Sequence, residues 1–550
     1  TMKWYKLLLF NLISGLLFTF SWYPHGLPFL IFFAWLPLFF ISDELLETKR
    51  NMPFLRGWLC SWPAFFIWNL ITTYWIGYCT LAGAAGAIVA NSMLQGWVFG
   101  LWHCCRKQIK QEWMHPVLLV AFWMSFEYLH LNWDLTWPWL NLGNVFAVCP
   151  HWVQWYSVTG AFGGALWILV LNLIFFYLLK HQKRTGQRAW GHALAFFLTL
   201  LIPCIISAVQ YKNVDKKISK STPIEAVVVQ QNTDPWEEEY YLTNEEQVQR
   251  LIDVSAPFMS ENTNLVVCPE SSIPHNISLL NLIHNNYPEG NTGFSGFRLL
   301  DSVISKYPNT NYILGLSTFQ LYDYQASPTV RPAGPGLWVD VFNTAGCYNS
   351  KKFNGYYHKS RLVPGVEKMP FPKLFGFLGD AIIKLGGSNT SLGTDTVQRT
   401  FPIEVNGKRL KVGTAICYES IYGELFGKFV KNGANVMTVI TNDSWWKDSQ
   451  GHKQHFEMSR LRAVETRRYV LRAANGGFSG VIEPTGNVLQ KTKYDERTAL
   501  KATVFAQDQQ TFYVKHGDYL AKLALIIATL GFIYALVLWT INLFTKKNTN

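Results

Sequence analysis

Three segments of this 550-residue chain bring reactive side chains to the ends of apolar runs or into an adjoining loop. VVCPESSIP ends a β-branched run with Glu270, and VGTAICYES ends another with Cys417, followed by Tyr418 and Glu419. YYHKSRLVPGVEKMP reads as a loop that presents Lys359 and, further on, Glu367. Taken singly, each group has an ordinary role: Glu270 as a cap, Lys359 as a solvated surface cation, Cys417 as a buried core thiol like Cys268. Taken together they suffice for acyl transfer. A thiol with a pKa of about 8.5 is mostly protonated at neutral pH. A carboxylate beside it takes the proton as sulfur attacks, and an ammonium stabilises the oxyanion that forms. Such a site needs no cofactor and no metal. His452 and His455 share one helix face without a third partner and read as a polar face, and the nine cysteines show no CxxC or zinc-ligand spacing.

These groups need strands to carry them. β-Branched runs recur at Ile224–Val229, Leu265–Cys268, Tyr312–Gly315, Leu337–Phe342, Lys411–Cys417, Val436–Ile440, Tyr469–Arg472 and Gly480–Glu483. Polar helical stretches separate several of them, including Asn244–Phe258 and His452–Arg467. Asn406-Gly407 marks a hairpin between Phe401–Val405 and Arg409–Val412. The pattern is that of a layered α/β domain with mixed sheets, and it lacks GxGxxG, P-loop and GxSxG signatures.

The first 210 residues are different material. The chain has 23 Trp and 38 Phe, with aromatics crowded there, and only 15% of all residues are charged. This excludes a disordered chain, a purely secreted protein and a pure channel or carrier. Crossing roughly 30 Å of hydrocarbon takes about 20 apolar residues in a helix. Candidate spans are Leu7–Trp22, Leu27–Ile41, Gly57–Tyr78, Leu81–Trp102, Pro116–Leu131, Val158–Leu179, Ala189–Ala208 and Leu523–Phe544. The first reads as a retained span, since no small-x-small site follows it. The net charge of +12 comes partly from short Lys/Arg clusters at alternate junctions and both termini, which speaks for membrane topology over nucleic acid. The positive-inside rule then puts both termini in the cytoplasm and residues 211–518 outside it. The Trp-rich junction at 132–157 reads as a segment along the outer interface. The expected division is 1–210 with seven spans, 211–518 as the catalytic domain, and 519–550 as the eighth span and tail.

The segments PESSIP, KSRLVP and ICYES, followed by TNDSWW and HFEMSRLRAVETRRYVLRAANGG, appear in the order found in the carbon–nitrogen hydrolase (nitrilase) superfamily. With spans before and after, nearly the whole chain resembles the membrane-bound branch of that superfamily, the apolipoprotein N-acyltransferases. The resemblance implies an αββα sandwich for the soluble half. It implies Glu270 as general base, Lys359 as oxyanion-stabilising lysine and Cys417 as nucleophile. Glu367 and Glu419 match supporting carboxylates, and Tyr418 would lend its backbone N–H to the oxyanion hole. It further implies a ping-pong reaction at the outer face of the bacterial inner membrane. Cys417 takes an acyl chain from a phospholipid, and the α-amino group of a diacylglyceryl-cysteine at an apolipoprotein's N-terminus attacks the thioester. The enzyme is expected to act as a monomer. The chain departs from many members in carrying Gly365-Val366 after Pro364, where those have an aromatic, and Trp236 is given no role.

Residues 369–387, MPFPKLFGFLGDAIIKLGG, are apolar and rich in glycine. They read as an arm that dips into the interface and gates lipid access through Phe371, Phe375 and Phe377, against the plainer reading of a packed helix. The rival enzymatic reading is a membrane-anchored amidase that uses water as acceptor. The rival non-enzymatic reading is a transporter, which has thin support because Glu127, His130 and His192, each near an end, are the only ionisable groups noted within the spans.

Overall fold

The computed structural model describes residues 3–23, 25–48, 51–218, 221–288, 293–375, 383, 388 and 390–547. The chain divides into two compact units: residues 1–77, 81–209 and 518–550 form one, and residues 78–80 and 210–517 the other.

The first unit is helical. Its long helices are Trp4–Ser21, Pro53–Thr73, Leu81–Gln108, Met114–His130, Ala161–Thr185, Trp190–Ile218 and Tyr519–Lys547. The second expected span is interrupted, as a 3₁₀ turn Pro28–Phe32 followed by helix Leu36–Leu46. Six of the described helical segments are long and apolar enough to cross a membrane; Pro53–Thr73 and Met114–His130 fall short on that measure. The aromatic wealth of this half is internal packing. Trp35 meets Trp123 edge-on at 4.5 Å and Phe18 stacks on Trp68 at 4.6 Å, and all four rings are buried. The basic clusters are not wholly solvent-directed. Buried Arg106 pairs with Asp43 at 2.6 Å, and Lys180 reaches the other oxygen of Asp43 at 2.9 Å. The Trp-rich junction is partly exposed, at Trp133 and Leu135, and partly packed inward: Trp139 is buried, as are Leu142, Val145 and Phe146 of its first 3₁₀ turn, where Glu127 accepts the Leu142 N–H at 2.7 Å and the Trp123 indole N–H at 3.0 Å.

The second unit is built on two sheets. In one, the order is Thr498–Phe505, Pro223–Gln230, Thr263–Val267, Asn311–Tyr322, Leu337–Asn349 and Arg331–Gly334, with Ile273–Ser278 and Lys352–His358 attached to the two long strands. In the other, it is Val488–Lys491, Gly480–Ile482, Val470–Ala474, Val436–Thr441, Lys408–Ile416 and Thr400–Val405. Each sheet has a parallel core of three strands. The middle strand of each core is buried along its length, as in VMTVIT at 436–441, and is rich in β-branched residues without strict apolar–polar alternation, because both faces are covered. The sheets meet through Pro223–Gln230 and Val470–Ala474. Helix Asn244–Ser255 packs on the first sheet, and helices Gly423–Lys431 and Gln450–Thr466 on the second. This is the helix–sheet–sheet–helix order that the resemblance implies, and the mixed sheets are those that the strand runs suggested.

The Asn406-Gly407 hairpin forms as expected. Both residues have positive φ, +51° and +72°, and they join antiparallel strands Thr400–Val405 and Lys408–Ile416. Two expectations need correction. The segment read wholly as a loop begins as strand Lys352–His358, paired to Leu337–Asn349, so Lys359 also follows a strand end. Cys268 lies one residue beyond its strand, where it is buried and its N–H still donates to Ile313 at 2.8 Å.

Gly315 makes room for the turn that carries Glu270. A Cβ there would lie 2.3 Å from the Pro269 carbonyl oxygen and 2.6 Å from Glu270 Cα. Gly315→Ala is therefore expected to cost about 1–3 kcal/mol of stability, as overpacking does, and to displace Glu270. Denaturant unfolding and phospholipid-dependent acylation of the same variant measure both effects.

Candidate active site

Cys417 is the first residue after strand Lys408–Ile416 and opens a tight 3₁₀ turn, Cys417–Ile421. Its φ is +50°, a conformation that a non-glycine residue holds only when its surroundings enforce it. Two groups do so. Ser420 Oγ donates to the Cys417 carbonyl at 2.7 Å, and His455 Nε2 faces that carbonyl at 3.3 Å and Ser420 Oγ at 3.0 Å. The imidazole is held in turn by Asp443, whose Oδ1 is 2.9 Å from Nδ1, and Asp443 Oδ2 accepts from Arg472 at 2.6 Å. These side chains are fully buried. Burial would push Asp443 up, but the charges of His455 and Arg472 hold its carboxyl below the usual range. His455 is thus part of the backing of the cysteine turn. His452 instead contacts Asp448 at 3.1 Å.

Glu270 and Lys359 meet in front of the thiol. Lys359 is 1% exposed, and its Nζ donates to Glu367 Oε1 at 2.8 Å and to Glu270 Oε1 at 3.3 Å. Burial alone would push the ammonium down. The charges of Glu270, Glu367 and the Cys417 thiolate form outweigh it, and the lysine lies well above its usual range. It is a fixed cation. Glu270 Oε2 accepts the Asn442 N–H at 2.9 Å, from the residue that directly follows strand Val436–Thr441. Burial pushes the Cys417 thiol well up, the charge of Glu270 adds to this, and Lys359 opposes it. These influences favour a protonated sulfur at rest, so any attack by it would require a base to take the proton.

Glu419 is engaged with the backbone and side chains of the two neighbouring loops. Its Oε1 accepts from Tyr357 Oη at 2.6 Å and from the Ser360 N–H at 2.6 Å, while its Oε2 accepts the Ile416 N–H at 2.9 Å. It staples the loop of Lys359 to the turn of Cys417. Burial raises its pKa, and these hydrogen bonds oppose the rise. Glu367 closes its own loop, taking the Val363 N–H on Oε2 at 2.8 Å. The departure at Gly365 is explained here. Its φ of +82° makes the return in which its N–H donates to Lys368 at 2.7 Å. Tyr418 follows the sulfur-bearing residue in the turn, its ring 5.5 Å from Tyr422.

Sequence reasoning missed Asn343, whose Nδ2 donates to Glu270 Oε1 at 2.7 Å and to Glu367 Oε1 at 3.1 Å, and whose carbonyl receives the Lys359 N–H at 2.9 Å. Nothing in VFNTAG sets it apart from any polar residue alternating along a strand. Asn442 was within reach, since it sits in TNDSWW directly after a strand. Trp236 is half exposed and meets Trp445 edge-on at 4.7 Å. Of the access residues, Phe371 is half-buried at φ +45°, while Phe377 and the side chain of Phe375 lie outside the described residues.

Comparison with known proteins fits this geometry. A family profile described as Carbon-nitrogen hydrolase matches residues 226–512, and one described as Apolipoprotein N-acyltransferase N-terminal domain matches residues 14–174. The Apolipoprotein N-acyltransferase of Chlorobaculum tepidum is 26% identical over 530 residues, 94% of each chain. Apolipoprotein N-acyltransferase 2 of Treponema denticola is 24% identical over 541 residues, 94% of this chain and 95% of that one. The Apolipoprotein N-acyltransferase of Thermotoga maritima is 25% identical over 418 residues, 76% of this chain and 70% of its own.

Proposed function

The chain belongs to the carbon–nitrogen hydrolase family, in its apolipoprotein N-acyltransferase branch, and on that premise we propose that it N-acylates apolipoproteins with chains drawn from membrane phospholipid. The observation that carries the mechanism is the buried pair Glu270–Lys359, close enough to Cys417 for both charges to act on its thiol.

Cys417 Sγ attacks the phospholipid ester carbonyl while its proton passes to Glu270. Lys359 Nζ and the Tyr418 N–H stabilise the oxyanion. Collapse breaks the ester C–O bond, and Glu270 returns the proton to the departing lysophospholipid oxygen. The α-amino group of the diacylglyceryl-cysteine then attacks the thioester. Glu270 takes a proton from that nitrogen and delivers it to the leaving sulfur, so the products are an amide and the restored thiol. Glu367 and Glu419 hold Lys359 and its loop in register.

The accompanying topology has eight spans, both termini in the cytoplasm and residues 211–518 as a periplasmic catalytic domain. It is supported by the alternation of basic junctions and by the apolar helices of the first unit. The segment 369–387, with Phe371, Phe375 and Phe377, is the access arm in this reading. The test uses phospholipid labelled in its acyl chains, with and without a diacylglyceryl-cysteine peptide. Label should appear on Cys417 first and move into the peptide amide when peptide is added. Release as free fatty acid with peptide present would instead favour the amidase-like reaction with water.

A further inference from the structure

Glu237, Glu238 and Glu239 follow one another, and the third differs in its surroundings. Glu238 is partly exposed and pairs with Arg250 at 2.8 Å. Glu239 is 2% exposed. Its Oε2 accepts from Asn442 Nδ2 at 2.8 Å, and the Ser271 side chain lies within hydrogen-bonding reach of the same carboxyl. Those two partners flank Glu270. Asn442 gives its backbone N–H to Glu270 Oε2, and Ser271 is the next residue in the chain, held at φ +55°. The amide of Asn442 cannot turn to another partner at no cost, because its Oδ1 already accepts from Asn475 Nδ2 at 3.3 Å. Gln247 Nε2 anchors the turn itself by donating to the Glu239 carbonyl at 3.2 Å. The mechanism above does not use this carboxyl.

We propose that Glu239 is a proton-linked positioning residue for Glu270: it holds the two segments that carry and contact the base, and its charge, when present, favours proton uptake by Glu270. The inference rests on Glu270 being the base. Burial, with the charge of Glu270 and a smaller contribution from Asp234, pushes Glu239 up to about 7, against the hydrogen bonds from Asn442 and Ser271. Also facing this pair are Tyr240, pushed up to about 12 and so neutral, Lys359, which reaches Glu270 through the oxygen that Asn442 leaves free, Glu367, which shares Lys359 and Asn343 with that oxygen, and the Cys417 thiol. Below neutral pH Glu239 is a neutral carboxylic acid that spans Ser271 and Asn442, and glutamine reproduces that arrangement. Above neutral pH it is a second carboxylate next to Glu270, and like charges favour the protonated form of the neighbour.

The experiment is the acylation rate of Cys417 by labelled phospholipid in the full-length protein, followed across neutral pH for wild type, Glu239→Gln and Glu239→Ala. Wild type and Glu239→Gln should agree on the acid side. Above pH about 7 the wild type should become several-fold faster than Glu239→Gln, the direction expected when a second carboxylate is placed beside a general base. Glu239→Ala should be slower at every pH. Superimposable wild-type and Glu239→Gln profiles overturn the proposal, and so does wild-type acylation by Glu239→Ala. If the alanine variant fails to fold, the glutamine profile decides. Glu270→Gln, measured alongside by iodoacetamide alkylation of Cys417, separates the two ideas: unchanged alkylation there removes Glu270 as base, whatever Glu239 does.

Discussion

Cys417→Ala should abolish both acyl adduct formation and transfer while leaving the protein folded. The substitution keeps a Cβ at the same positive φ, so it adds no backbone strain, and it empties only the volume of one sulfur at a residue 8% exposed. Ser420 and His455 grip the Cys417 carbonyl, not its side chain, so the turn stays closed. Chemistry has no substitute at that point. Cys268 and Cys347 are fully buried, and burial pushes their thiols up. The measurement is intact-mass analysis after incubation with acyl-labelled phospholipid. Wild type should carry one acyl group and the variant none; equal labelling of both would remove Cys417 as nucleophile.

Lys359→Ala should fail in two separable ways. Losing one oxyanion donor costs roughly 100–1,000-fold in rate. Losing the cation also leaves Glu270 and Glu367 facing each other in a buried site, and breaking a buried pair destabilises by roughly 3–5 kcal/mol. The second effect has a definite pH dependence. A buried carboxylate and a partly buried one left facing each other without their cation are relieved by protonation, so the variant should regain stability relative to wild type as pH falls. Lys359→Arg keeps the charge but spreads it over a planar fork that cannot put one donor where both Glu270 Oε1 and Glu367 Oε1 converge. It should restore most of the stability and little of the rate. Thermal unfolding against pH, run beside acylation kinetics, distinguishes the two losses. If arginine restores full activity, charge alone matters and the geometric argument fails.

What the residues dictate by themselves is local. Short β-branched runs place the strands that end near Glu270 and Cys417, and Asn406-Gly407 needs no tertiary partner to make its turn, because only residues tolerant of positive φ fit it. The match of spacing at PESSIP, KSRLVP and ICYES was likewise legible, since it is carried by covalent order. Tertiary structure decided the rest. It converted Glu419 from a neighbour of the cysteine in sequence to a staple between two loops, because the side chain turns toward the Ser360 and Ile416 amides. It brought Asn343 and Asn442 to Glu270, and Glu239 to Asn442, from strands and turns far apart in the chain, through hydrogen bonds whose partners no spacing rule connects. It packed part of the Trp-rich junction inward, where the buried Glu127 side chain accepts the Leu142 N–H. Hydrophobic pattern dictates which elements form; the obligation to pair every buried polar group, which is settled only when the elements meet, dictates which side chains converge.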